Sequence, residues 1–286
     1  MTNRNIFHLL LPLSLLVFLT ACDDVIDLDL PDTEPRLVVD ATITDLDTVQ
    51  TVKLSYSANY FSNVPTPPAV GALVVITDDL GVADTLIEEG IPGLYQSPNS
   101  KQAGRTYTLY VQTTDGKTFE SDPEILRPAV PIENIEYRYN PTGEFDNDSL
   151  PAGGYDILIF TTEPAGAGDF YRWRSYINGK ELRDAEDMQF ANDDFVDCNG
   201  TSTGFLINAD LVPKGGHYRV EQMTISEGMY NFMFILNQQT AFVGGPFDPP
   251  PAPIPSNLRC LSHPDEKVYG YFSCAGVSVA EITVPE

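Results

Sequence analysis

The stretch Gly104-Arg105-Thr106-Tyr107-Thr108-Leu109-Tyr110-Val111 carries the clearest structural signal in the chain. Its apolar positions Tyr107, Leu109 and Val111 alternate with positions suited to a more exposed face. An apolar period of two residues is typical of a β-strand that buries one face. The pair Asp115-Gly116 follows and favours the tight turn of a hairpin. We therefore expect two antiparallel strands here.

The same alternation recurs through most of the first half of the chain. It covers Leu37–Ile43 and Val52–Tyr56, and the denser apolar run Ala72–Ile76 predicts a strand buried on both faces. Gly104–Leu109 also resembles the tyrosine corner of sandwich domains, in which a tyrosine hydroxyl bonds to nearby backbone. About seven strands at these intervals predict an immunoglobulin-like β-sandwich over residues 36–127.

A second part of the chain begins at a proline-containing segment. Leu126–Pro131 holds two prolines, which lack a backbone donor and interrupt regular strands, so we place a domain boundary there. Residues 128–286 are expected to form a β-rich domain, in which Asn178-Gly179 marks a hairpin turn. One substantial helix is predicted near residues 227–240, where Met and Phe recur at helical spacing after Ser226 as N-cap. The predicted fold class is therefore mainly β.

Two further segments complete this pattern. The polar stretch Asp184–Gly204 is too long for an ordinary connection and is predicted to be a functional or mobile loop. Near the end of the chain, Val268–Val284 is predicted to form a terminal strand.

The first 21 residues have the features of an export signal. Arg4 gives a short basic start, and the apolar run Ile6–Leu19 is too short to span a bilayer as a finished anchor. Leu19-Thr20-Ala21-Cys22 resembles the lipobox of bacterial lipoproteins, which implies removal of residues 1–21 and lipid attachment to Cys22. Several acyl chains hold a protein stably at a membrane, because each buried methylene adds roughly 0.8 kcal/mol. The alternative is an ordinary secretory signal cut near Ala21.

The chain is strongly acidic. Its formal net charge is −25, and residues 22–35 form an acidic tether after the lipidated cysteine. Such a charge repels nucleic acid, because affinity for phosphates comes chiefly from lysine and arginine. It is compatible with cationic ligands, divalent metals or a basic patch on a protein partner. We expect no nucleic-acid partner and no cofactor.

Three cysteines remain besides the lipidated one. Cys198, Cys260 and Cys274 permit one disulfide and one free thiol in an oxidising compartment, and their spacing does not choose among the three pairings. We favour Cys198 with Cys260, because both lie in loop-like segments. No cysteine belongs to a C-x-x-C pair and the mature chain has only two histidines, so a zinc site is not expected.

Several stretches along the mature chain are similar to a family of Bacteroidota lipoproteins catalogued as domain of unknown function 4249. They are Leu37–Ile43, Val70–Ala72 with Asp78–Gly81, Gly104–Gly116, Pro246–Pro250 and Gly270–Ser273. Members of this family are commonly encoded beside TonB-dependent receptors, so the resemblance implies a partnership with an outer-membrane β-barrel transporter. The acidic tether also resembles the signals that send lipoproteins of this phylum to the cell surface, although a periplasmic location is the alternative.

One short motif suggests an enzyme but lacks the necessary structural context. Gly200–Gly204 matches the G-x-S-x-G motif around Ser202, with Asp248 and His263 downstream in the order found in hydrolases. That nucleophile requires a hydrophobic strand before it and a helix after it. An acidic segment precedes the motif, and the apolar residues after it are too few for a helix. We therefore predict no catalytic activity and assign no catalytic residues.

Acidic loops offer oxygen atoms that calcium could use. The two groups are Asp193, Asp194, Asp197 and Asn199, and Glu144, Asp146 and Asp148. Neither group has the spacing of an EF-hand loop. A solvated acidic loop accounts for both, so no metal site is predicted.

The candidate ligand contacts are aromatic residues in a loop-like stretch. Tyr60 and Phe61 lie in Ser57–Asn63, where their rings could stack on sugars or anchor a partner surface, and a place in the core is the alternative. Ser149, within Asp148-Ser149-Leu150, resembles the O-glycosylation sites of the same phylum. Taken with the lipid anchor, these features predict a non-catalytic accessory protein that acts with a TonB-dependent receptor in nutrient capture. The alternative is an autonomous surface adhesin that binds glycans or peptides.

Overall fold

The chain folds mainly into β-strands, with one helix in the part that the structure describes, as the apolar patterns predicted. A computed structural model describes residues 34–58, 64–141, 153–184, 187–193, 204–207, 211–240 and 252–286. The strands are β1 Leu37–Thr44, β2 Gln50–Tyr56, β3 Leu73–Asp78, β4 Ala83–Glu88, β5 Leu94–Ser97, β6 Thr106–Gln112, β7 Thr118–Ser121, β8 Glu124–Ile125, β9 Ile132–Asn140, β10 Gly154–Thr161, β11 Phe170–Ile177, β12 Lys180–Glu181, β13 Gln189–Asn192, β14 Phe205–Leu206, β15 His217–Ile225, β16 Leu258–Cys260 and β17 Tyr269–Thr283. The helix, α1, spans Glu227–Thr240. Residues Pro35–Glu286 form one compact unit.

The N-terminal strands form two layers around a common core, as expected for a β-sandwich. Strands β1, β2 and β5 lie side by side, β3, β6 and β7 form the other layer, and β4 pairs with both β3 and β5. Side chains of both layers share one buried apolar cluster, which includes Val39, Leu54, Ile76, Leu109 and Phe119. Burial of each large aliphatic side chain stabilises the fold by about 1.5–3 kcal/mol.

The local signals around Tyr107 are confirmed. The Tyr107 hydroxyl accepts a hydrogen bond from the backbone N–H of Gln102 at 2.8 Å and donates one to its carbonyl oxygen at 3.3 Å. This is the backward contact that the tyrosine-corner pattern predicted. The turn between β6 and β7 contains Gly116 at φ +86°, a left-handed conformation in which a side chain would be strained.

The final strand, β17, connects the two parts of the chain. Its residues Tyr269–Ala275 pair in parallel with Val38–Thr44 of β1. Its remaining residues, Gly276–Thr283, pair antiparallel with His217–Thr224 of β15, which in turn pairs with β11. Strands from both sides of the expected boundary after residue 127 therefore belong to one continuous sheet. The division into two domains stays a prediction.

A second, three-stranded sheet covers the C-terminal part of the large one. It consists of β14, β10 and β9 in that order. Ile157 and Ile159 of β10 share a buried cluster with Tyr218 and Val220 of β15. Two sheets thus pack face to face here as well, with an apolar layer between them.

The helix begins and ends where the sequence predicted. The Ser226 hydroxyl accepts the N–H of Met229 at 3.2 Å, which is the contact of an N-cap. Met229 and Met233 are buried and pack with Met223 of β15 and Tyr271 of β17. The methionine stripe is therefore core, as expected. No helix within the described ranges is long and apolar enough to cross a membrane.

The prediction of a long loop after Asp184 is wrong at Gln189–Asn192, which form β13. This strand pairs antiparallel with Phe170–Trp173 of β11. Without it, the backbone donors and acceptors on that side of β11 would lack partners over these residues, which is costly for a buried sheet. The polar composition of the segment conceals the strand, because its side chains are only half-buried.

The proline-containing segment after β8 packs directly against β17. A Cβ atom placed on Gly276 would lie 2.3 Å from the carbonyl oxygen of Arg127 and 2.3 Å from the amide nitrogen of Ala129. Both atoms belong to the backbone and cannot turn aside as a flexible side chain would. Glycine therefore allows the segment to cross β17 at the residue where this strand changes its pairing partner.

Substitution Gly276→Ala should lower the free energy of unfolding by at least about 3 kcal/mol, because the added methyl group overlaps backbone. Gly81→Ala serves as the matched control, since its Cβ would meet no atom within 4 Å. Its φ of +81° should still cost about 1 kcal/mol. Urea unfolding followed by circular dichroism measures the free energy of unfolding of both variants. Equal losses in the two variants would contradict the close contact between Gly276 and the backbone of the proline-containing segment.

Glu124 of β8 is a buried carboxyl group that holds the C-terminal segments in place. Only 6% of it is exposed. The Tyr271 hydroxyl donates to its Oε1 at 2.8 Å, and Asn257 Nδ2 donates to the same atom at 3.3 Å. Burial, more than any other influence, raises the pKa of Glu124 above its ordinary value of 4.5.

This raised pKa predicts a loss of stability as the pH increases. Above pH 4.5, and up to the raised value, the folded chain binds more protons at Glu124 than the unfolded chain, so the free energy of unfolding falls with increasing pH. Glu124→Gln keeps a neutral hydrogen-bonding group at every pH and should be more stable than the wild type at about pH 8, with the difference shrinking near pH 4. Urea unfolding at a series of pH values tests this. Glu133→Gln makes the same substitution at an exposed position and is the matched control.

Candidate functional site

The described residues enclose a cavity of about 570 Å³ at the edge of the C-terminal part. We call it the aromatic cavity. Its lining includes Tyr171, Trp173, Phe190 and Phe205. Strands β11, β13 and β15 of the large sheet supply one wall, and β14 with the end of β10 supplies the opposite wall.

Strand pairing places three polar or aromatic side chains in one row. Trp173 of β11 lies directly opposite Gln189 of β13 on one side and Gln222 of β15 on the other. Residues opposite each other in paired strands point to the same face of the sheet. The indole ring therefore lies between two amides on the wall of the cavity.

Gln222 holds the indole ring in position. Its Oε1 accepts the Nε1–H of Trp173 at 3.0 Å. Its Nε2 donates to the carbonyl oxygen of Val130 at 2.9 Å and to Thr161 Oγ1 at 3.3 Å. Both the oxygen and the nitrogen of the Gln222 amide thus have hydrogen-bond partners. The orientation of the indole ring is therefore fixed without a ligand.

Gln189 is different, because its Oε1 is buried and has no hydrogen-bond partner among the described residues. A buried acceptor without a partner costs about 1–3 kcal/mol. An N–H or O–H group of a ligand would satisfy it. The Gln189 amide is therefore the lining group best suited to form a hydrogen bond with a polar ligand.

One end of the cavity is acidic. The Tyr171 hydroxyl donates to Glu163 Oε1 at 2.8 Å, and burial, together with this contact, raises the pKa of Tyr171 far above neutral pH. Carboxylate oxygens of Glu163, Asp169 and Asp193 lie within 4.8 Å of one another. Asp193 is 1% exposed and accepts the N–H of Gly168 at 2.9 and 3.1 Å.

These carboxylates affect which charge a ligand in the cavity can carry. Glu163 is the one charged residue among the described residues of the lining. Oxygen ligands of this kind suit calcium, but the carboxylates have protein partners, including Arg127 at 3.8 Å from Asp169, and we assign no metal to them. Together with the net charge of −25, they disfavour anionic ligands and favour neutral or cationic ones.

Most of the site residues predicted from the sequence lie outside the described residues. They are Cys22, Tyr60, Phe61, Ser149 and Cys198. Their predicted roles stay predictions. Cys260 ends β16, and both it and Cys274 are buried with free thiols. The pairing of Cys260 with Cys198 is not seen among the described residues and also stays a prediction.

The structure gives the hydrolase-like motif no further support. Ser202 and Asp248 lie outside the described residues, and His263 is exposed, with Nδ1 3.1 Å from the hydroxyl oxygen of Ser262. The residues after Gly204 form strand β14 rather than the helix that a nucleophile elbow requires. Of the acidic residues considered for calcium, Asp193 is described, and it joins carboxylates that the sequence did not connect with it.

Sequence reasoning missed the aromatic cavity. Trp173 is the single tryptophan of the chain, and the strand pattern places it on one face with Tyr171 and Ile177. Its partner Gln222 lies 49 residues away, too far for any local pattern to connect them. The sequence feature that could have indicated this site is a lone tryptophan between two arginines in a predicted strand.

The two glutamines beside Trp173 should respond oppositely to the same substitution. Gln222→Leu leaves the Trp173 N–H and the Val130 carbonyl without their partners and should lower the free energy of unfolding by about 1–3 kcal/mol. Gln189→Leu removes an acceptor that has no partner and should cost little or even stabilise the fold. Urea unfolding measures both, and Trp173 fluorescence should change its emission maximum in Gln222→Leu. Equal destabilisation of the two variants would contradict this assignment.

Two solved structures that match the chain share little sequence with it. A two-domain fibronectin type III segment from chicken tenascin is 16% identical with a TM-score of 0.20, and the match covers 68% of this chain and 92% of that one. The BSP domain of a biofilm associated protein is 17% identical with a TM-score of 0.19, and the match covers 88% of this chain and 29% of that one. We draw nothing about function from either similarity.

The family comparison is more informative. No curated protein sequence matches the chain. A family model described as "Domain of unknown function (DUF4249)" matches residues 23–281. Because this match covers most of the sequence, the chain belongs to that family.

Proposed function

We propose that this protein is a lipid-anchored, non-catalytic binding protein of the outer membrane that captures a nutrient together with a TonB-dependent receptor. The observation that carries the binding role is the aromatic cavity, in which Trp173 lies between one satisfied and one unsatisfied amide. Its ligand would be neutral or cationic and would carry an N–H or O–H donor for Gln189.

The size and lining of the cavity suit a small ligand. A volume of about 570 Å³ lies within the range of about 300–1,000 Å³ that ligand pockets occupy. Aromatic rings provide large contact areas that lose little conformational freedom on binding. Sugars and short peptides combine apolar faces with N–H or O–H donors, so both fit this chemistry.

The titratable groups at the cavity favour recognition over catalysis. Glu163 and Tyr171 are hydrogen-bonded to each other, and the raised pKa of Tyr171 keeps its hydroxyl protonated. The other polar side chains of the described lining, apart from the Trp173 indole, carry amides or, at Thr161, a hydroxyl, which neither accept nor release protons near neutral pH. We therefore propose binding without chemical turnover.

The location and the partner rest on the sequence. The lipobox-like segment ending at Cys22 would give the anchor, and the acidic tether of residues 22–35 would hold the folded part away from the membrane. The similarity to Bacteroidota lipoproteins that are encoded beside TonB-dependent receptors supports a role as their accessory protein. The resemblance of the acidic tether to surface-export signals supports a location on the cell surface.

An autonomous surface adhesin for glycans or peptides is the second candidate. The same cavity suits it, because aromatic rings in the lining can stack on sugar faces or hold a peptide side chain. In that case ligand binding would need no receptor. The two candidates differ in what the lipidated protein brings with it from the membrane.

A pull-down of the tagged, lipidated chain from its native membrane in mild detergent separates the candidates. We expect a stoichiometric outer-membrane β-barrel protein among the captured proteins, identified by mass spectrometry. The variant Cys22→Ala should lose membrane attachment and the partner together, whereas Trp173→Phe should retain both. A lipidated chain that is captured without a β-barrel protein would favour the autonomous adhesin.

Ligand binding is tested on the same purified chain by Trp173 fluorescence. Neutral oligosaccharides and matched neutral, cationic and anionic peptides serve as probes, and a neutral or cationic probe should change the emission. Gln189→Leu should weaken that response, while Gln112→Leu, at an exposed position on β6, should leave it unchanged. A response to anionic peptides alone would argue against the charge assigned to the cavity.

A further inference from the structure

A cluster of three possible metal ligands lies far from the aromatic cavity in the fold, at the outer edge of the large sheet. Strand β16 pairs with β7 and is the last strand on that side. The chain turns after β16, where the N–H of Glu266 donates to the carbonyl oxygen of His263 at 2.9 Å. This turn brings ligand atoms of Cys260, His263 and Glu266 within 4.8 Å of one another.

The three groups have the chemistry of a zinc site. A thiolate sulfur, an imidazole nitrogen and a carboxylate oxygen are the ligand types that Zn²⁺ takes in proteins. Around a tetrahedral zinc ion, neighbouring ligand atoms lie roughly 3.5 Å apart, as follows from its bond lengths. The side chains must therefore move inward by on the order of 1 Å. His263 is exposed and has the freedom to do so.

The backbone that carries these ligands is already held in place. Cys260 is 3% exposed and lies opposite Phe119 of β7. The N–H of Leu261 donates to the carbonyl oxygen of Thr118 at 2.8 Å. The Ser262 hydroxyl accepts the N–H of Thr118 at 3.2 Å and lies 3.4 Å from the Cys260 sulfur.

Lys117 supplies the positive charge near this cluster. Its Nζ lies 3.0 Å from Oε1 and 2.9 Å from Oε2 of Glu266. Two potential anions, a thiolate and a carboxylate, would be neutralised by a divalent cation at the same place. The ammonium group of Lys117 therefore competes with a metal ion for Glu266.

We propose that Cys260, His263 and Glu266 bind a zinc ion, with the fourth position open to water. The sequence argued against zinc because it shows no C-x-x-C pair and few histidines, but the fold adds a carboxylate as third ligand. The proposal stands apart from the function proposed for the aromatic cavity. It also requires the free Cys260 thiol that the structure shows, so it excludes the predicted disulfide between Cys198 and Cys260.

Cobalt provides the direct test, because Co²⁺ bound to a thiolate in a tetrahedral site absorbs light in a characteristic way. The full-length chain is stripped with a chelator under reducing conditions and titrated with Co²⁺ and then with Zn²⁺. We expect one equivalent of cobalt, tetrahedral visible bands, a sulfur-to-cobalt charge-transfer band in the near ultraviolet, and loss of all bands when zinc displaces the cobalt.

Four variants test whether the metal binds at Cys260, His263 and Glu266. His263→Ala and Glu266→Gln, which change groups at or near the surface, should weaken zinc binding by more than about 100-fold, since even changes to supporting residues cost about 10–100-fold. Lys117→Met should tighten it several-fold by freeing Glu266. His217→Ala, which removes a half-buried histidine of β15 that lies 3.6 Å from Glu281, is the matched control and should leave the affinity unchanged.

Several results would overturn the proposal. They are the absence of a charge-transfer band, an affinity that His263→Ala leaves intact, and weaker binding in Lys117→Met. Peptide mapping without reduction that finds Cys260 joined to Cys198 would overturn it as well. None of these results bears on the ligand of the aromatic cavity, because the two groups of residues have no member in common.

Discussion

The backbone pairing of β17 is the constraint on which the rest of the structure depends. Its first half lies parallel to β1, and its second half lies antiparallel to β15. A slip of one residue in either register would turn core side chains to the opposite face. The pairing therefore fixes the N-terminal sandwich and the C-terminal sheets at once, and Gly276 leaves room for the segment around Arg127 at the point where the partner changes.

Buried polar groups show which parts of the chain serve the fold and which are available for binding. The Glu124 carboxyl and the Gln222 amide both have partners that lie far away in the sequence, so each connects segments that apolar contacts alone would leave loosely specified. The Gln189 oxygen is buried without such a partner in the described chain. A buried polar atom without a partner lowers stability. Glu124 Oε2 is also such an atom, and Gln189 Oε1 differs from it because Gln189 lines the aromatic cavity.

The two candidate sites use different properties of β-structure. The aromatic cavity lies between the two sheets, and Trp173 and Phe205 line it while they also pack against the adjoining core. The cluster at Cys260 arises where an edge strand ends in a turn, which brings residues three positions apart back towards one another. Strand pairing forms the first site from residues far apart in the chain, whereas the second site joins residues at the local spacing C-x-x-H-x-x-E, which a search for C-x-x-C pairs does not cover.

The sequence by itself determined the local structure of this protein. Apolar periods of two predicted strands such as β1, β2 and β6, Tyr107 predicted its backward hydrogen bond, and the change of period after Ser226 predicted the helix to its last residue. The tertiary structure alone decided which strands are neighbours, that β17 serves both halves of the chain, and that Trp173 meets Gln222. The physical reason is that periodicity records which face of a segment is buried, whereas the partner against which it is buried is selected by contacts between residues far apart in the chain.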